Sequence, residues 1–375
     1  VVIGHLHSRP GVLDSPLLFR LAALITIQDV ASRAGVSVST VSNVINGRTD
    51  RMGRETLARV EAAMTALSYR PSRAAQQLKT GHNPMLGVLV PSIANPMYGY
   101  IAREIETVAQ QAYGHRVMLG NTYRSKEIEL GFFDDLLSHG VRGVIMISSQ
   151  LDEEYLDQGL QRGLVAVSYD RSATPGASLG IDHVTVDNAA AARMATEYLI
   201  ERGHRRLAFA TAAGQTMSRR EKVKGFLAAA QTSGLVGTAH VIEGSMQTGY
   251  GDSEMADLGR MLAARIAASS KRPTGVVAVN DLMAFGLIAG FRDAGLSVPA
   301  DISVVGMDGL FLSALMNPGL TTIRLPVPLM ARKLVDRVIG RMADPSLKPD
   351  EFVFQPDLIE RHSVAEPPKP VRRHA

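Results

Sequence analysis

Several short apolar runs in this sequence end on polar residues that can bind or react. Ser148 and Ser149 follow "VIMI", Asp170 follows "VAVSY", Asn280 and Asp281 follow "VVAV", and Asp308 follows "SVVGM". Carboxylates, hydroxyls and an amide at such places can hold a ligand. Catalysis would need a nucleophile beside a base, and nothing in the sequence places one. Any single one of these residues is equally read as a helix cap or a turn. Their recurrence at several strand ends is what points to a shared site. A cationic cluster lies in "SRREK", where Arg219, Arg220 and Lys222 stand together. It could face a carboxylate or phosphate on a sugar-like ligand, and reads equally as a solvated helix start. "GASLG", residues 176–180, fits the G-x-S-x-G pattern of hydrolases. That pattern needs a strand, a sharp turn and a helix, whereas here a Pro/Gly/Ser loop leads into a strand near Val184, so Ser178 is not read as a nucleophile. There is no phosphate-binding loop and no HExxH zinc pair. The chain has no cysteine, which excludes disulfides and thiolate metal sites. His5 and His7 read as chance neighbours. No enzyme, metal or cofactor is expected.

The elements that would position these residues form a regular alternation. β-Branched and apolar runs occur at 86–90, 117–119, 144–147, 164–167, 184–186, 207–210, 241–242, 276–279 and 302–305. Amphipathic stretches such as 100–112 and 189–202 lie between them. This is a βα repeat, which predicts parallel sheets covered by helices. Nine or more strands exceed one compact sheet of this type, so two subdomains are expected. Ligands of open parallel sheets sit beyond the carboxyl ends of the strands, and two lobes can face those ends across a cleft.

The amino-terminal part has a different pattern. Ile27, Val30, Ala31 and Ala34 recur at helical spacing. Gly35 permits a reversal, Val36 can plug the turn, and Ser37 is a good N-cap. Val41, Val44 and Ile45 form the buried stripe of a second helix, which Asn46-Gly47 stops. A third helix runs from about Arg54 to Ser68 with Leu57, Val60, Met64 and Leu67 as its core face. Two short helices with a tight turn are the geometry of a helix-turn-helix DNA reader; the bland alternative is a generic three-helix bundle. Outward on the second helix stand Val38, Ser39, Thr40, Ser42 and Asn43, residues that can meet base edges. Residues 26–82 hold eight Lys/Arg against four acids, a net +4, while residues 83–365 sum to −3. A basic head on a slightly acidic body suggests a polyanionic partner for the head. "YRPSRAAQQLKTGH", residues 69–82, reads as a linker that becomes helical when docked. Leu78 is its one large apolar side chain, as a minor-groove wedge requires.

"TIQDVASRAGVSVSTVSNVING", "YRPSRAAQQLKTG", "LGVLVPSIANPMYGYIAREIE", "HVTVDNAAAARMATEYLIERGHRRLAFAT", "VVAVNDLMAFGLIAGFRDAGLSVPADISVVGMD", "LTTIRLP" and "LIERHSVAEPP" together resemble the lactose-repressor (LacI/GalR) family of bacterial transcription regulators. The resemblance covers about residues 26–365, with its motifs in the family's order. It implies an all-α helix-turn-helix head (26–70), a hinge helix (71–83) and an α/β two-lobed, periplasmic-binding-protein-like effector core with Rossmann-like parallel sheets (84–365). Within the core it implies one subdomain of roughly 84–184 plus 325–345 and another of 185–322 plus 350–365. It also implies a homodimer on a pseudo-palindromic, double-stranded operator, most often as a repressor. The implied DNA contacts are Thr26, Val38, Ser39, Thr40, Ser42, Asn43, Asn46, Arg54, Tyr69, Ala75, Leu78 and Lys79. The implied effector contacts are Tyr98, Ser148, Asp170, Ser218, Lys222, Met246, Asn280, Asp281 and Asp308, with Asp281 also readable as a helix cap. Two positions depart from the family. Lys222 stands where an arginine is usual, and lysine cannot make a planar fork. Met246 stands where an aromatic is common. The implied effector is a sugar or sugar acid.

The remaining expectations concern the ends and the rivals. Residues 1–25 run into "LLFRLAALITI" (17–27), faintly like a signal peptide but interrupted by Arg20 and without a small-residue cleavage site. They are expected to be a disordered extension or the product of an upstream start called in error, which leaves a cytoplasmic, nucleoid-associated protein. No apolar run reaches the roughly 20 residues that span a bilayer. The tail, 366–375, is too short for a tetramerising coiled coil, which favours a dimer. The rival reading is a ligand-binding module without specific DNA binding, with an enzyme ranked last.

Overall fold

The structure is a computed structural model that describes residues 25–50, 52–70, 83–147, 154–171, 180–213, 216–245 and 254–369. It divides into two compact units, with the boundary between His82 and Asn83.

The first unit contains three helices, α1 (Ile27–Ala34), α2 (Val38–Ile45) and α3 (Arg54–Ala66). Thr26 and Asp29 close a capping box at the start of α1. Gly35 then takes φ 64, and its N–H returns to the last turn of α1. A left-handed residue here needs glycine. Ser37 caps α2, accepting from the Thr40 N–H at 3.1 Å. Val30, Ala31, Ala34, Val41, Val60 and Ala63 form the core. Ala63 is central to the α3 face, where the sequence pointed to Leu57, which is half-buried. α3 stops at Ala66, short of Ser68, because Ser68 adopts φ 49.

The second unit is built from two six-stranded sheets. The strands are β1 (Met85–Val90), β2 (Arg116–Asn121), β3 (Gly143–Ile147), β4 (Val165–Tyr169), β5 (Asp182–Val186) and β6 (Leu207–Ala212). They continue with β7 (Ala239–Gly244), β8 (Gly275–Ala278), β9 (Ser303–Asp308), β10 (Thr321–Arg324), β11 (Glu351–Phe354) and β12 (Asp357–Ile359). The first sheet has the order β11-β5-β4-β3-β1-β2 and the second β12-β10-β9-β8-β6-β7. Among the described residues every strand pairing is parallel except that of β10 with β12. The connecting helices are α4 (Pro96–Tyr113), α5 (Lys126–Ser138), α6 (Glu154–Gln161), α7 (Asn188–Glu201), α8 (Met217–Thr232), α9 (Glu254–Ala267), α10 (Asp281–Asp293), α11 (Leu312–Leu315) and α12 (Val327–Ala343).

The division of the lobes differs from the sequence expectation. The first sheet keeps all of β5, so the change of lobe follows Val186 instead of residue 184. Residues 350–365 do not stay together: β11 pairs with β5 in the first sheet and β12 with β10 in the second. α12 packs its apolar face, including Met330, Leu334 and Val338, on the first sheet. The chain therefore crosses between lobes three times, and these crossings leave the carboxyl ends of both sheets facing one cleft. Buried Asp182 ties this arrangement together. It accepts from Arg337 Nε at 2.8 Å, Arg341 Nη1 at 3.2 Å and the Asp350 N–H at 3.0 Å. One carboxylate thus joins β5, α12 and the approach to β11 in a buried ion cluster.

Candidate effector cleft and DNA-reading face

Polar residues at the carboxyl ends of five strands meet in one cavity between the lobes. Tyr98 arrives on the first turn of α4, after β1, and Asp170 directly follows β4. Ser218 and Lys222 lie on the first turns of α8, after β6. Asn280 caps α10 after β8, and Asp308 ends β9. All six line the cavity. The caps or first residues of five helices, α4, α7, α8, α9 and α10, line it, and helix N-termini suit partly negative ligand groups. The solvent-accessible volume is about 110 Å³. Typical small-molecule sites have roughly 300–1,000 Å³, so a sugar-sized ligand requires the lobes to part or side chains to move. A larger groove of about 530 Å³ lies at the opposite, amino-terminal end of the second sheet, around Arg206, Arg265 and Lys271. No strand carboxyl end points into it, and the smaller cleft is the better candidate.

The backbone is strained where the cavity is built. Asp170 has φ 62 and Asp308 φ 145, conformations that L-residues rarely adopt and that cluster at binding sites. Asp170 accepts from Asn188 Nδ2 at 2.9 Å. Asp308 is buried, and that burial pushes its carboxyl well above the usual range; the charge of Asp281 adds to the shift and Lys222 opposes it. Tyr98 is likewise raised by burial. Lys222 donates through Nζ to the Val279 carbonyl at 3.1 Å. It acts as a single point donor at the end of β8, as its chemistry requires.

Asp281 is different. It is fully buried and is absent from the residues lining the cavity. Its carboxylate accepts from the Leu310 N–H at 2.9 Å, Ser313 Oγ at 2.7 Å and Thr322 Oγ1 at 2.5 Å. A Cβ on Gly306 would stand 2.2 Å from Asp281 Oδ1, so β9 carries glycine to let the carboxylate in. Asp281 anchors the segment after β9, while its neighbour Asn280 faces the ligand space. Expected contacts Ser148 and Met246 lie outside the described residues, as does Ser178. The strand expected after the "GASLG" loop is β5. The cavity also contains Arg219, from the cationic cluster of the sequence, and residues that the sequence reading left out of the site: Asn95, Arg124, Tyr169, Asn188 and Thr216. Arg124 was within reach of the strand-end argument, since "TYR" follows β2 just as Asp170 follows β4. Among the described residues no group of three His, Cys, Asp or Glu is arranged to hold a metal ion.

In the first unit, Val38, Ser39, Asn43, Asn46 and Arg54 are exposed, and Thr40 and Ser42 are half-buried. Ser39 and Thr40 bond through their hydroxyls to Ser37 Oγ at 2.7 and 2.8 Å. Asn46 turns back, donating through Nδ2 to the Ser42 carbonyl at 2.5 Å. Thr26 is engaged in its capping box. Tyr69 packs against the helical core. Val38, 41% exposed, and Asn43 point outward on α2, while the Ser39 hydroxyl is engaged by Ser37. Ala75, Leu78 and Lys79 lie outside the described residues.

Comparison with known proteins adds an independent line. Residues 26–72 match the lacI family of bacterial regulatory proteins, and residues 196–364 match the periplasmic binding protein-like domain. The HTH-type transcriptional regulator GalS of Salmonella typhimurium is 32% identical over 346 residues, spanning 91% of this chain and 97% of the relative. The lac repressor dimer, solved bound to operator and the anti-inducer ONPF, superposes with a TM-score of 0.79 at 28% identity, covering 91% of this chain and 99% of that one. The transcriptional regulator CelR, solved as a cellobiose complex, superposes with a TM-score of 0.63 at 25% identity over 90% of this chain and 99% of its own.

Proposed function

The chain belongs to the lacI family of bacterial regulatory proteins, and from that premise we propose that it acts as a homodimeric repressor on a pseudo-palindromic operator under the control of a carbohydrate-like effector. It is a DNA-binding transcriptional regulator with a helix-turn-helix head and a two-lobed α/β core. The observation that carries the effector reading is the convergence of Tyr98, Asp170, Ser218, Lys222, Asn280 and Asp308 on one interlobe cavity. Carboxylates and an amide at fixed positions suit the hydroxyls of a sugar. A similar regulator solved with cellobiose supports that class. In the head, Val38 and Asn43 would read bases, while Arg54 and the other basic residues would contact phosphates and set register. Thr26, Thr40, Asn46 and Tyr69 would support the reading face as caps and packing.

Dimerisation is supported by apolar residues that a monomer leaves in water. Phe311 is 72% and Leu315 74% exposed, at and beside the short helix α11. Exposed apolar groups of this size mark association surfaces, and a second copy would cover them in an isologous contact. An effector changes DNA binding only by favouring one lobe arrangement over another.

The test is to incubate the purified protein with fragmented genomic DNA of its source and sequence what is retained. A few sites sharing a short pseudo-palindrome support the operator and dimer reading. No enrichment, repeated with cell metabolites present, would put the ligand-binding module first.

A further inference from the structure

The groove of about 530 Å³ at the amino-terminal end of the second sheet lies at the far end of that lobe from the effector cleft. Three cations line it, each from a different segment. Arg206 stands just before β6, Arg265 in the last turn of α9, and Lys271 in the loop that leads to β8. Among the described residues no carboxylate lines this groove. Other arginines of the same lobe do find acids: Arg202 meets Glu360 at 2.8 Å and Arg260 meets Asp293 at 2.6 Å. Among the described residues Arg206, Arg265 and Lys271 form no ion pair. Residues 83–365 sum to −3, so the gathering of cations is not the by-product of a basic body. Arg265 has a local reason for its place, since the α9 dipole favours a cation there. Arg206, at the start of a strand, has no helix end to serve. Its Nε donates to the Arg272 carbonyl at 2.9 Å, which orients the guanidinium and leaves its Nη groups for a ligand. Leu207, Ile242, Ile266 and Pro273 supply apolar lining.

We propose that this groove is a second ligand site, for a small molecule that carries two or more linked phosphates. Like charges gathered round one groove repel each other and focus a positive potential into it. A polyanion reverses that cost. The two guanidinium forks can each grip a pair of phosphate oxygens, and the lysine adds a point charge. One phosphate carries at most about two negative charges, so linked phosphates match three cations better than a single one does. The volume falls in the range of roughly 300–1,000 Å³ that small-molecule sites occupy, and the apolar lining can take a ring. The site does not depend on the effector reading of the cleft: either can fail while the other stands.

The test uses the full chain as wild type, R206Q, R265Q, K271Q and R265K, checked for folding by circular dichroism. Each is titrated by calorimetry with orthophosphate, pyrophosphate, tripolyphosphate and ADP, at ionic strength fixed with chloride. One saturable site per chain is expected in the wild type, with linked phosphates binding more tightly than orthophosphate. Each Gln variant should lower the affinity about tenfold, and R265K should keep most of it. Tighter binding of ADP than of pyrophosphate assigns the site to a nucleotide; equal binding assigns it to the linked phosphates alone. No saturation, or equal affinity in all five proteins, overturns the proposal, the latter because the anion then sits in the head or the effector cleft. The same proteins are titrated with a random DNA duplex followed by anisotropy. Groove variants that weaken duplex binding as much as tripolyphosphate binding would give the groove to DNA and likewise overturn it.

Discussion

Asp308 and His204 show how single residues trade stability against use. Asp308 keeps its proton to a higher pH when folded than when unfolded, chiefly because of burial. Above its ordinary value of about 3.8 the folded state holds more protons, so stability falls as pH rises through that window. Asp308→Asn removes this penalty. Its Tm is expected to exceed that of the wild type at neutral pH and to converge with it in acid, while effector affinity measured by calorimetry drops. His204 has the opposite sign. It is fully buried between Thr274 Oγ1 and the Ala365 carbonyl, each at 2.9 Å, and burial lowers its pKa below the ordinary 6.5. The unfolded chain therefore binds the extra proton first, and stability is lost as pH falls below about 6.5. His204→Gln should flatten the Tm profile between pH 6.5 and 5 relative to the wild type; an unchanged profile would count against this role. The Asp308 position was legible because it ends an apolar run. The role of His204 was not, since its partners lie at residues 274 and 365.

Among the elements, helix contacts decide how accurately the site is held. Gly225 lies one turn beyond Lys222 on α8, and a Cβ there would stand 2.1 Å from the Ala189 carbonyl oxygen of α7. Backbone does not yield as a side-chain tip does, so Gly225→Ala must push α8 away from α7. Overpacking of this kind costs about 1–3 kcal/mol, and here it also moves Ser218 and Lys222. Chemical denaturation should show the loss of stability, and calorimetry a loss of effector affinity larger than a purely global effect gives. In the head, Ser37 caps α2 and holds Ser39 and Thr40 by their hydroxyls. Ser37→Ala should cost about 1 kcal/mol and weaken specific DNA binding, read by thermal melting and fluorescence anisotropy. Sequence located α2 and its cap because capping is local. It overran α3 by two residues, because the turn at Ser68 is a backbone choice without a glycine to announce it.

For the whole molecule, the charge distribution and the exposed apolar pair make separate predictions. The net +4 of residues 26–82 implies that DNA affinity falls steeply with salt. With 6–10 phosphate contacts the loss is about 10³–10⁵ between 50 and 200 mM, measured by anisotropy on an operator recovered from genomic fragments. Phe311→Asp with Leu315→Asp should convert a dimer to a monomer in analytical ultracentrifugation and weaken operator binding, since two half-sites must then be found separately. A variant that stays dimeric would place the contact elsewhere. Among the described residues no helix is long and apolar enough to cross a membrane.

Tyr98, Ser218 and Lys222 of the cleft came with the family resemblance; the sequence by itself determined the element types, the two sheets, the helix-turn-helix and the strand-end residues Asp170, Asn280 and Asp308. Those follow from period and punctuation: apolar spacing says which face is buried, and a polar residue ending a strand marks the sheet's carboxyl edge. Only the tertiary structure decided which of two adjacent residues faces the ligand. Asn280 and Asp281 are neighbours in the chain, yet one lines the cavity and the other is sealed by Leu310, Ser313 and Thr322. Only the structure brought Arg124 and Arg219, ninety-five positions apart in the numbering, into one cavity, and only it split β11 from β12. A local pattern carries no information about a partner supplied by another lobe, and the three crossings of the chain are what bring those partners together.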